Sequence, residues 1–425
     1  MSKIQIIPSP LMGTVQAPPS KSIAHRAVIA ASLADGISSL YNVDLSDDIK
    51  ATVCGMRALG ALIEINRNGL TIQGIKSKKE AGRPDPTVID CIESGSTLRF
   101  LVPVSLALGG SFLFTGKGNL GKRPLNPYYE IFDRQDISYH STPNSLNLSV
   151  SGALSAGSFS LPGNISSQFI TGLLFALPVL SGDSEIMVTS PLESKAYVDL
   201  TLQALADFGI TVTNHDYRSF KTKGNQRYLP RNYTVESDYS QAAFFLCAGA
   251  LGSDITVAGL NNASLQGDKE ILPVLQRMGG EMSSTSEGIK VSASKLHGTQ
   301  IDASEIPDII PVLAATACAA EGKTVIRNAG RLRMKECDRF AAVIEEMTAL
   351  GAHIKADGSN IVIEGKEQLE GGCEVQSHSD HRMAMTLAVI AQKCKKPIVL
   401  NDYECISKSY PRFFEDFKML GGKTR

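Results

Sequence analysis

Six short clusters of hydroxyl, acidic and basic residues each stand directly before an apolar run of helical length. Serine and aspartate are ordinary helix N-caps, so one such cluster alone predicts only the start of a helix. Helix N-termini also expose unpaired N–H groups and partial positive charge, which attract phosphate and carboxylate groups. Together the clusters predict anion binding, and they are Ser20-Lys21-Ser22, Ser94-Gly95-Ser96, Ser166-Ser167-Gln168, Asp238-Tyr239-Ser240, Pro307-Asp308 and Ser379-Asp380-His381-Arg382.

A second set of polar loops precedes the other helical runs, at residues 46–48, 121–124, 193–197, 266–270, 334–339 and 407–412. If both sets gather at one end of each domain, two such ends facing each other would form a cleft that can close. Asp308 and Glu336 would lie among its cations. A carboxylate in such a place is more often a general acid or base, and the alternative is a structural ion pair. The cations are Lys21, Arg26, Arg99, Lys122, Arg123, Lys195, Lys335, Arg339, Arg382 and Lys408.

The composition excludes several classes of protein. The 425 residues carry a net charge of −1, with 43% hydrophobic and 20% charged residues, which gives no support for nucleic acid or an anionic membrane as the main partner. The start, MSKIQIIPSP, lacks the apolar core of a secretory signal, and FITGLLFALPVL is too short to span a bilayer, so we expect a cytoplasmic protein. The cysteines form no CxxC pair, which predicts reduced thiols and no metal site.

Two interleaved patterns repeat along the chain. In one, an apolar helix such as SSQFITGLLFALPVL leads through a short turn into a β-rich run. In the other, an amphipathic helix ends at a glycine and two alternating strands follow, as in MRALGALIEINRNGLTIQG. Six α/β units could form one closed ring, but we favour two domains of three, residues 20–235 and residues 1–19 with 236–425. The apolar helices favour packing inside a ring of sheets, and the N-terminal strands would complete the sixth unit.

The chain is similar, in order and along nearly its whole length, to the 5-enolpyruvylshikimate-3-phosphate synthase family of enolpyruvyl transferases. The matching motifs are PPSKSIAHR, SDDIKATVCGMRALG, GKRPL, SSQFITGLL, ESKAYVDLTL, IPDIIPVLA, LRMKECDRF, SHSDHRMAM and ISKSYPRFFEDF. Each motif is weak alone, whereas the ordered set is highly specific. The resemblance implies an inside-out α/β barrel fold, in which two domains each contain three βαβαββ units with helices inside.

The resemblance also implies an activity. Members of the family transfer the enolpyruvyl group of phosphoenolpyruvate to the 5-hydroxyl of shikimate 3-phosphate. Phosphate leaves through a tetrahedral addition–elimination intermediate, in the pathway to chorismate and the aromatic amino acids. The family uses no metal or organic cofactor, so we expect none, and we expect a monomer whose partners are the two small-molecule substrates. Members are targets of the herbicide glyphosate.

The matching motifs carry the family's functional residues onto this chain. By resemblance, Asp308 is the base at the 5-hydroxyl, while Lys21 and Glu336 handle protons at the enolpyruvyl carbons and the leaving oxygen. The residues that would hold shikimate 3-phosphate are Lys21, Ser22, Arg26, Ser166, Ser167, Gln168, Ser194, Tyr197, Asp308 and Lys335. Those that would hold phosphoenolpyruvate are Lys21, Gly95, Arg123, Gln168, Arg339, Arg382 and Lys408.

The segment around Gly95 departs from the family pattern. Glu93 stands where the family often has asparagine, Ser96 where it has threonine, and Phe100 where it has proline. A carboxylate beside the phosphoenolpyruvate site should weaken anion binding unless it is turned away or paired. We therefore expect altered affinity for phosphoenolpyruvate and weaker binding of glyphosate.

The nearest alternative is the related enolpyruvyl transferase that acts on UDP-N-acetylglucosamine and shares the fold. That enzyme carries a cysteine in the loop before its arginine-proline pair and an asparagine after its lysine. This chain has GKGNLGKRPLN and Ser22 at those places, which argues against the alternative. A non-catalytic anion-binding repeat protein is the other alternative, and the acids Asp308 and Glu336 argue against it.

Overall fold

The computed structural model describes residues 2–67, 69–75 and 84–425, which form two compact units. The middle unit is Lys21–Val235, and the terminal unit combines the chain up to Ser20 with Glu236–Arg425. Ser20, assigned above to the first domain, lies in the terminal unit, where its N–H donates to the carbonyl oxygen of Glu236 at 2.8 Å. The chain thus leaves the terminal unit after residue 20 and returns to it at residue 236.

The described residues contain twelve α-helices. They are α1 Lys21–Leu33, α2 Asp47–Ala58, α3 Gly95–Leu108, α4 Asn126–Arg134, α5 Ser167–Ala176, α6 Lys195–Asp207, α7 Tyr239–Ala250, α8 Ile271–Arg277, α9 Ile310–Cys318, α10 Arg339–Ala349, α11 His381–Ile390 and α12 Phe413–Met419. Short 3-10 helices span Gly118–Lys122, Leu177–Val179, Gly267–Glu270, Ala329–Met334, Ala391–Lys393 and Tyr403–Lys408.

The strands of the described residues are short, with two to seven residues each. They are β1 Lys3–Ile7, β2 Met12–Gln16, β3 Ile37–Tyr41, β4 Leu62–Asn66, β5 Gly69–Gln73, β6 Thr87–Asp90, β7 Gly110–Gly116, β8 Ser138–Ser141, β9 Leu146–Gly152, β10 Ser158–Leu161, β11 Ser184–Val188, β12 Val212–His215, β13 Ser219–Thr222, β14 Asn232–Thr234, β15 Asp254–Ala258, β16 Glu281–Thr285, β17 Gly288–Ser292, β18 Gln300–Asp302, β19 Gly322–Arg327, β20 His353–Asp357, β21 Asn360–Gly365, β22 Leu369–Gly371, β23 Glu374–Gln376, β24 Cys394–Lys396, β25 Ile398–Asn401 and β26 Lys423–Thr424.

The same four-stranded sheet occurs three times in each unit. The middle unit has the orders β14-β3-β5-β4, β6-β7-β9-β8 and β10-β11-β13-β12, and the terminal unit has β16-β17-β15-β2, β18-β19-β21-β20 and β23-β25-β1-β26. Every sheet joins one parallel pair to antiparallel neighbours, as in β10 with β11 and β11 with β13. A small parallel pair, β22 with β24, is added in the terminal unit.

The N-terminal strands pair with strands from the second half of the chain. Strand β1 is antiparallel to β25, with Ile4 opposite Leu400, and β2 is parallel to β15, with Thr14 opposite Thr256. Two sheets of the terminal unit therefore depend on the first residues of the chain for a strand.

The apolar helices are buried along almost their whole length. Every residue of α7, α9 and α11 is buried, and α1, α3 and α5 are buried apart from residues close to their ends. A surface helix buries only a stripe, whereas these helices are covered on all sides. Burial of each large apolar side chain contributes about 1.5–3 kcal/mol relative to exposure. The predicted α/β fold with buried helices is confirmed.

Glycines follow most of the amphipathic helices, as the repeat predicts, whereas α4 is followed by Gln135 and a left-handed Asp136. Gly209 follows α6 with a φ of +81°, and Gly351 follows α10 with a φ of +89°. This left-handed conformation lets the last helical carbonyls find partners before the next strand begins. Among the residues described, no helix combines the length and apolar character needed to cross a membrane.

Candidate active site

Lys21 is the first residue of α1, and a carboxylate from α2 holds its ammonium group. The Nζ of Lys21 donates to Oδ2 of Asp48 at 2.6 Å, and the two side chains are 14% and 6% exposed. The sequence predicted no role for Asp48, because only the packing of α1 against α2 brings this pair together. The SDD loop at 46–48 was the available signal.

Arg26 joins α1 to α6. Its Nη1 donates to the carbonyl oxygen of Ser22 at 2.6 Å, its Nη2 to that of Tyr197 at 2.7 Å and its Nε to Oγ1 of Thr201 at 2.9 Å. Burial lowers the pKa of Arg26 to about 10, which leaves the guanidinium charged at neutral pH. Ser22 and Tyr197, both predicted to hold shikimate 3-phosphate, therefore meet around Arg26, a third member of that set.

Ser194 is the N-cap of α6 and lies beside Tyr197. Its backbone is left-handed, with a φ of 58°, and its carbonyl accepts the N–H of Tyr197 at 3.1 Å. A residue other than glycine in this region stores strain, which is often found at functional sites.

Gln168 connects the first turns of α3 and α5. Its Oε1 accepts from Nη1 of Arg99 at 2.8 Å, and its Nε2 donates to Oγ of Ser96 at 2.9 Å. Ser166 is the N-cap of α5 and accepts from the N–H of Gln168 at 3.3 Å, and Ser167 between them is buried. Both the oxygen and the nitrogen of the Gln168 side-chain amide are therefore bonded, which holds the amide in a defined orientation.

Arg99 is a buried support of the site rather than a surface cation. Besides Gln168, it donates through Nη2 to the carbonyl oxygen of Pro124 at 3.1 Å, and it stacks over the ring of Phe169 at 5.1 Å. Pro124 directly follows Arg123. Arg99 was predicted to be one of the cations of the cleft, without a role in binding either substrate.

The guanidinium of Arg123 lies against the backbone of Gly95, the first residue of α3. A β-carbon built on Gly95 would stand 2.3 Å from Nη1 of Arg123, so a larger residue would displace the guanidinium. A guanidinium beside the N–H groups of a helix start suits a phosphate or carboxylate.

The carboxylate of Glu93 is directed at Gly118. A β-carbon on Gly118, whose φ is +61°, would stand 2.3 Å from Oε1 of Glu93. Gly118 begins the 3-10 helix that ends at Lys122. Phe100, another departure from the family pattern, is 1% exposed and belongs to the core of the middle unit.

Asp308 lies just before α9 and accepts hydrogen bonds from three cations. Its Oδ1 accepts from Nζ of Lys335 at 3.0 Å and Nη1 of Arg339 at 3.1 Å, and its Oδ2 accepts from Nη2 of Arg382 at 3.2 Å. Burial alone would raise the pKa of Asp308, but Arg382, Lys335 and Arg339 hold it well below its usual value. The carboxylate is therefore ionised at neutral pH.

Burial lowers the pKa of Lys335 despite its ion pair with Asp308. The nearby charges of Arg339 and Arg331 lower it further, while Asp308 and Glu336 act in the opposite direction. The charged form of Lys335 is thus less strongly favoured than it would be in an isolated ion pair, because several cations share the same carboxylates.

Arg339 begins α10, and its side chain is 1% exposed. Its Nε donates to Oδ2 of Asp380 at 2.7 Å, and its Nη2 donates to Oε2 of Glu336 at 2.6 Å. Burial would lower the pKa of Arg339, but Asp380, Glu336 and Asp308 raise it above the usual value. Asp380 was missed as a site residue, because SHSDHR indicated only a helix start.

Lys408 ends the 3-10 helix Tyr403–Lys408 and is 8% exposed. That helix packs against α11, which carries Arg382 in its first turn. The structure thus places Lys408 in the terminal unit with Asp308, Lys335, Glu336, Arg339 and Arg382, and it places the other predicted residues in the middle unit.

The N-cap predictions differ in outcome. Ser94, Ser166, Asp238 and Asp380 accept from helix N–H groups as predicted. The prediction that Ser20 caps α1 is wrong, because its buried Oγ has no hydrogen-bond partner. Asp308 is not an N-cap either, since Ile309 occupies that position and the Asp308 carboxylate is used by cations.

One group in the described part of the chain has metal-ligand spacing, namely Glu345, Glu346 and His378. Both oxygens of Glu346 already accept hydrogen bonds, Oε1 pairing with Nε2 of His378 at 2.7 Å and Oε2 with the N–H of Gln376 at 3.0 Å. Glu346 therefore ties the segment from Gln376 to His378, which leads to Asp380, to α10.

Comparison with known proteins identifies the family of this chain. The family described as EPSP synthase (3-phosphoshikimate 1-carboxyvinyltransferase) matches residues 6–417. A 3-phosphoshikimate 1-carboxyvinyltransferase of Clostridioides difficile (strain 630) is 55% identical, covering 100% of this chain and 98% of the relative. One of Clostridium botulinum (strain Eklund 17B / Type B) is 53% identical, covering 99% and 98%.

Solved structures share the fold. An EPSP synthase from Acinetobacter baumannii superposes with a TM-score of 0.83 at 25% identity, covering 100% of this chain and 99% of the other. The enolpyruvyl transferase NikO from Streptomyces tendae has a TM-score of 0.81 at 17% identity, a likeness of fold alone. By fold and by sequence over nearly its whole length, this chain belongs to the EPSP synthase (3-phosphoshikimate 1-carboxyvinyltransferase) family.

Proposed function

We propose that this protein is a transferase that moves the enolpyruvyl group of phosphoenolpyruvate to the 5-hydroxyl of shikimate 3-phosphate and releases phosphate. The observation that carries the proposal is the environment of Asp308, an ionised carboxylate that accepts from Lys335, Arg339 and Arg382 at 3.0, 3.1 and 3.2 Å. Such a group can accept a hydroxyl proton while its cations hold anionic substrates. The reaction itself is the one that the name of the EPSP synthase family describes.

The charges of the substrates explain the number of cations. Each substrate carries a phosphoryl group of about −1.5 to −2 and a carboxylate, so bringing them together is strongly repulsive without compensating charge. We propose that shikimate 3-phosphate is held by Lys21, Ser22, Arg26, Ser166, Ser167, Gln168, Ser194, Tyr197, Asp308 and Lys335. We propose that phosphoenolpyruvate is held by Lys21, Gly95, Arg123, Gln168, Arg339, Arg382 and Lys408.

The proton transfers follow from the reaction. In the addition step, Asp308 accepts the 5-hydroxyl proton as that oxygen bonds to C2 of phosphoenolpyruvate, and a proton is added to C3. In the elimination step, a proton leaves the new methyl group as the bond from C2 to the phosphate oxygen breaks. We assign the protons at C3 and at the leaving oxygen to Glu336 and Lys21.

The low pKa of Asp308 fits this order of events. Without substrate, the three cations make Asp308 a weak base. Bound phosphate and carboxylate groups would offset those cations, which would raise the pKa of Asp308 and make it a better proton acceptor. Substrate binding would thus activate the base.

A phosphate-release assay tests the proposal. The protein is expected to release phosphate from phosphoenolpyruvate only when shikimate 3-phosphate is present, and not with UDP-N-acetylglucosamine. Glu336→Gln should abolish release, whereas Glu345→Gln, the same change at an exposed position of α10, the helix that follows Glu336, should leave the rate unchanged. Phosphate release from phosphoenolpyruvate with UDP-N-acetylglucosamine, in the absence of shikimate 3-phosphate, would establish the alternative activity.

We also propose that the protein is monomeric and acts in the cytoplasm, where its phosphorylated substrates would be retained. Sedimentation velocity at micromolar concentration should give one species of 45.5 kDa. A stable dimer would contradict the monomer, and recovery of the protein outside the cytoplasmic fraction would contradict its location.

A further inference from the structure

A chain of hydrogen bonds runs through the interior of the middle unit below the predicted site. The Nδ1 of His25 pairs with Oγ1 of Thr52 at 2.7 Å, and that hydroxyl pairs with Oγ1 of Thr97 at 2.7 Å. The Thr97 hydroxyl in turn donates to Oγ of Ser94 at 2.8 Å. His25 is 1% exposed and the other three residues are fully buried. We call these four residues the buried chain.

The buried chain connects three helix starts. His25 follows Lys21 by one turn of α1, and Thr52 follows Asp48 by one turn of α2, so each shares a helix face with a member of the Lys21–Asp48 ion pair. Thr97 and Ser94 flank the first turn of α3, where Gly95 lies. The Thr97 hydroxyl also lies 3.4 Å from the carbonyl oxygen of Asp48.

Packing alone does not require these polar groups. Replacing both partners of a buried hydrogen bond by apolar groups of the same shape is often nearly neutral for stability. Hydrogen bonds differ from apolar contacts in fixing both distance and direction, so a buried chain of them favours one arrangement of the elements it joins, although Nε2 of His25 has no hydrogen-bond partner among the described residues. The arrangement specified here is that of the turns carrying Lys21, Asp48 and Gly95.

The surroundings of His25 keep this chain in one protonation state. Its ring meets the ring of Phe100 edge-on, with centroids 6.2 Å apart, and the guanidinium of Arg26 lies over the same Phe100 ring at 5.5 Å. Burial, together with the charges of Lys21 and Arg26, lowers the pKa of His25 to about 3, although Asp48 acts in the opposite direction. The imidazole is therefore neutral throughout the physiological range.

We propose that His25 is a positioning residue, which acts through Thr52 and Thr97 to fix the Nζ of Lys21 relative to the start of α3 at Gly95. This inference rests on the proposed function, because it is the transfer reaction that needs Lys21 and Gly95 held to within a fraction of an ångström. Misplacement by about 1 Å can cost about 100-fold in rate.

Four variants test the proposal by steady-state phosphate release. His25→Leu and Thr52→Val each break the buried chain with little change in volume, and each should lower kcat by roughly 10- to 100-fold. The double variant should be no slower than the slower single variant, because both break one unit. His25→Asn places an amide nitrogen where Nδ1 stands and should remain within about threefold of wild type, since the hydrogen bond is kept.

The matched control is Thr316→Val, which removes a buried hydroxyl that donates to the carbonyl oxygen of Val312 within α9 of the terminal unit. It should leave kcat unchanged. Losses that multiply in the double variant, or wild-type kcat in Thr52→Val, would overturn the proposal. If His25→Leu does not fold, Thr52→Val and His25→Asn still decide the question.

A second readout separates this inference from the proposed function. The rate at which acetic anhydride labels Lys21, followed by mass spectrometry of the ligand-free protein, reports the Lys21–Asp48 pair without turnover. Labelling should be faster in Thr52→Val than in wild type and Thr316→Val. Unchanged labelling contradicts the positioning role, whereas an inactive wild-type protein contradicts only the proposed reaction.

Discussion

Asp380 and Arg339 form a fully buried ion pair, with Oδ2 of Asp380 accepting from Nε of Arg339 at 2.7 Å. The other oxygen, Oδ1, caps α11 by accepting the N–H of Arg382 at 2.8 Å. One carboxylate thus orients two of the residues proposed to bind phosphoenolpyruvate.

Asp380→Asn should weaken both folding and substrate binding. Breaking an isolated buried pair costs about 3–5 kcal/mol, and we expect roughly 1–3 kcal/mol here, because Asp308 and Glu336 remain on Arg339. The KM for phosphoenolpyruvate should rise about tenfold, equivalent to about 1.4 kcal/mol. Urea unfolding and steady-state kinetics measure these changes. Asp338→Asn, at the exposed N-cap of α10, is the control, and equal effects of the two changes would contradict the role of Asp380.

Gly95→Ala should impair phosphoenolpyruvate binding more than folding. The added β-carbon would stand 2.3 Å from Nη1 of Arg123, so the guanidinium must move away from the start of α3. We expect KM for phosphoenolpyruvate to rise at least about tenfold, while the KM for shikimate 3-phosphate changes little. Gly330→Ala is the control, since its β-carbon would make an ordinary 3.6 Å contact with Ser359. An unchanged KM in Gly95→Ala is incompatible with the proposed position of Arg123.

Glu93→Gln tests the expectation that the carboxylate weakens anion binding. The substitution keeps the contact with Gly118 but removes a negative charge beside the segment that carries Gly95. Over roughly 8–10 Å in a watery site, one charge is worth about 0.4–0.5 kcal/mol, or about a twofold change in binding. The KM for phosphoenolpyruvate and the inhibition constant of glyphosate should both fall by about that factor or more. If both rise, the contact with Gly118 matters more than the charge.

His25 should make the protein sensitive to acid. Burial lowers its pKa from the usual 6.5 to about 3, so between these values the unfolded chain binds a proton that the folded protein does not. His25 therefore does not lower the free energy of unfolding above pH 6.5. Below that pH the free energy of unfolding falls as the pH falls towards 3, by up to about 2 kcal/mol at pH 5. Urea unfolding at pH 7 and pH 5 measures the change. His25→Asn should lose less stability than wild type, and an equal loss in both proteins would remove His25 as the cause.

Much of the fold was predictable because it depends on local spacing. The repeat of apolar helix, turn and strands gave the six units, and glycines such as Gly209 marked the helix ends. The acids Asp48 and Asp380 could not be assigned in the same way. Their partners Lys21 and Arg339 lie 27 and 41 residues away, so the pairs exist only once the helices have packed.

The direction in which a side chain points could not be predicted from the sequence either. Glu93 stands beside Gly95 in the chain, yet its carboxylate faces Gly118 because a glycine there leaves room for it. Ser20 has the composition of an N-cap, but its backbone pairs with Glu236, and its hydroxyl caps nothing. Composition predicts which groups gather near a site, whereas packing decides which of them point into it.

Phosphate release by Asp308→Asn tests the central claim most directly. The amide keeps the shape of Asp308 but cannot accept the 5-hydroxyl proton, so turnover with phosphoenolpyruvate and shikimate 3-phosphate should fall by at least about 100-fold, the lower range of general-base contributions. Asp302→Asn, the same change at the exposed end of β18, six residues before Asp308, should keep the wild-type rate. Wild-type turnover by Asp308→Asn would contradict the account of how this site works.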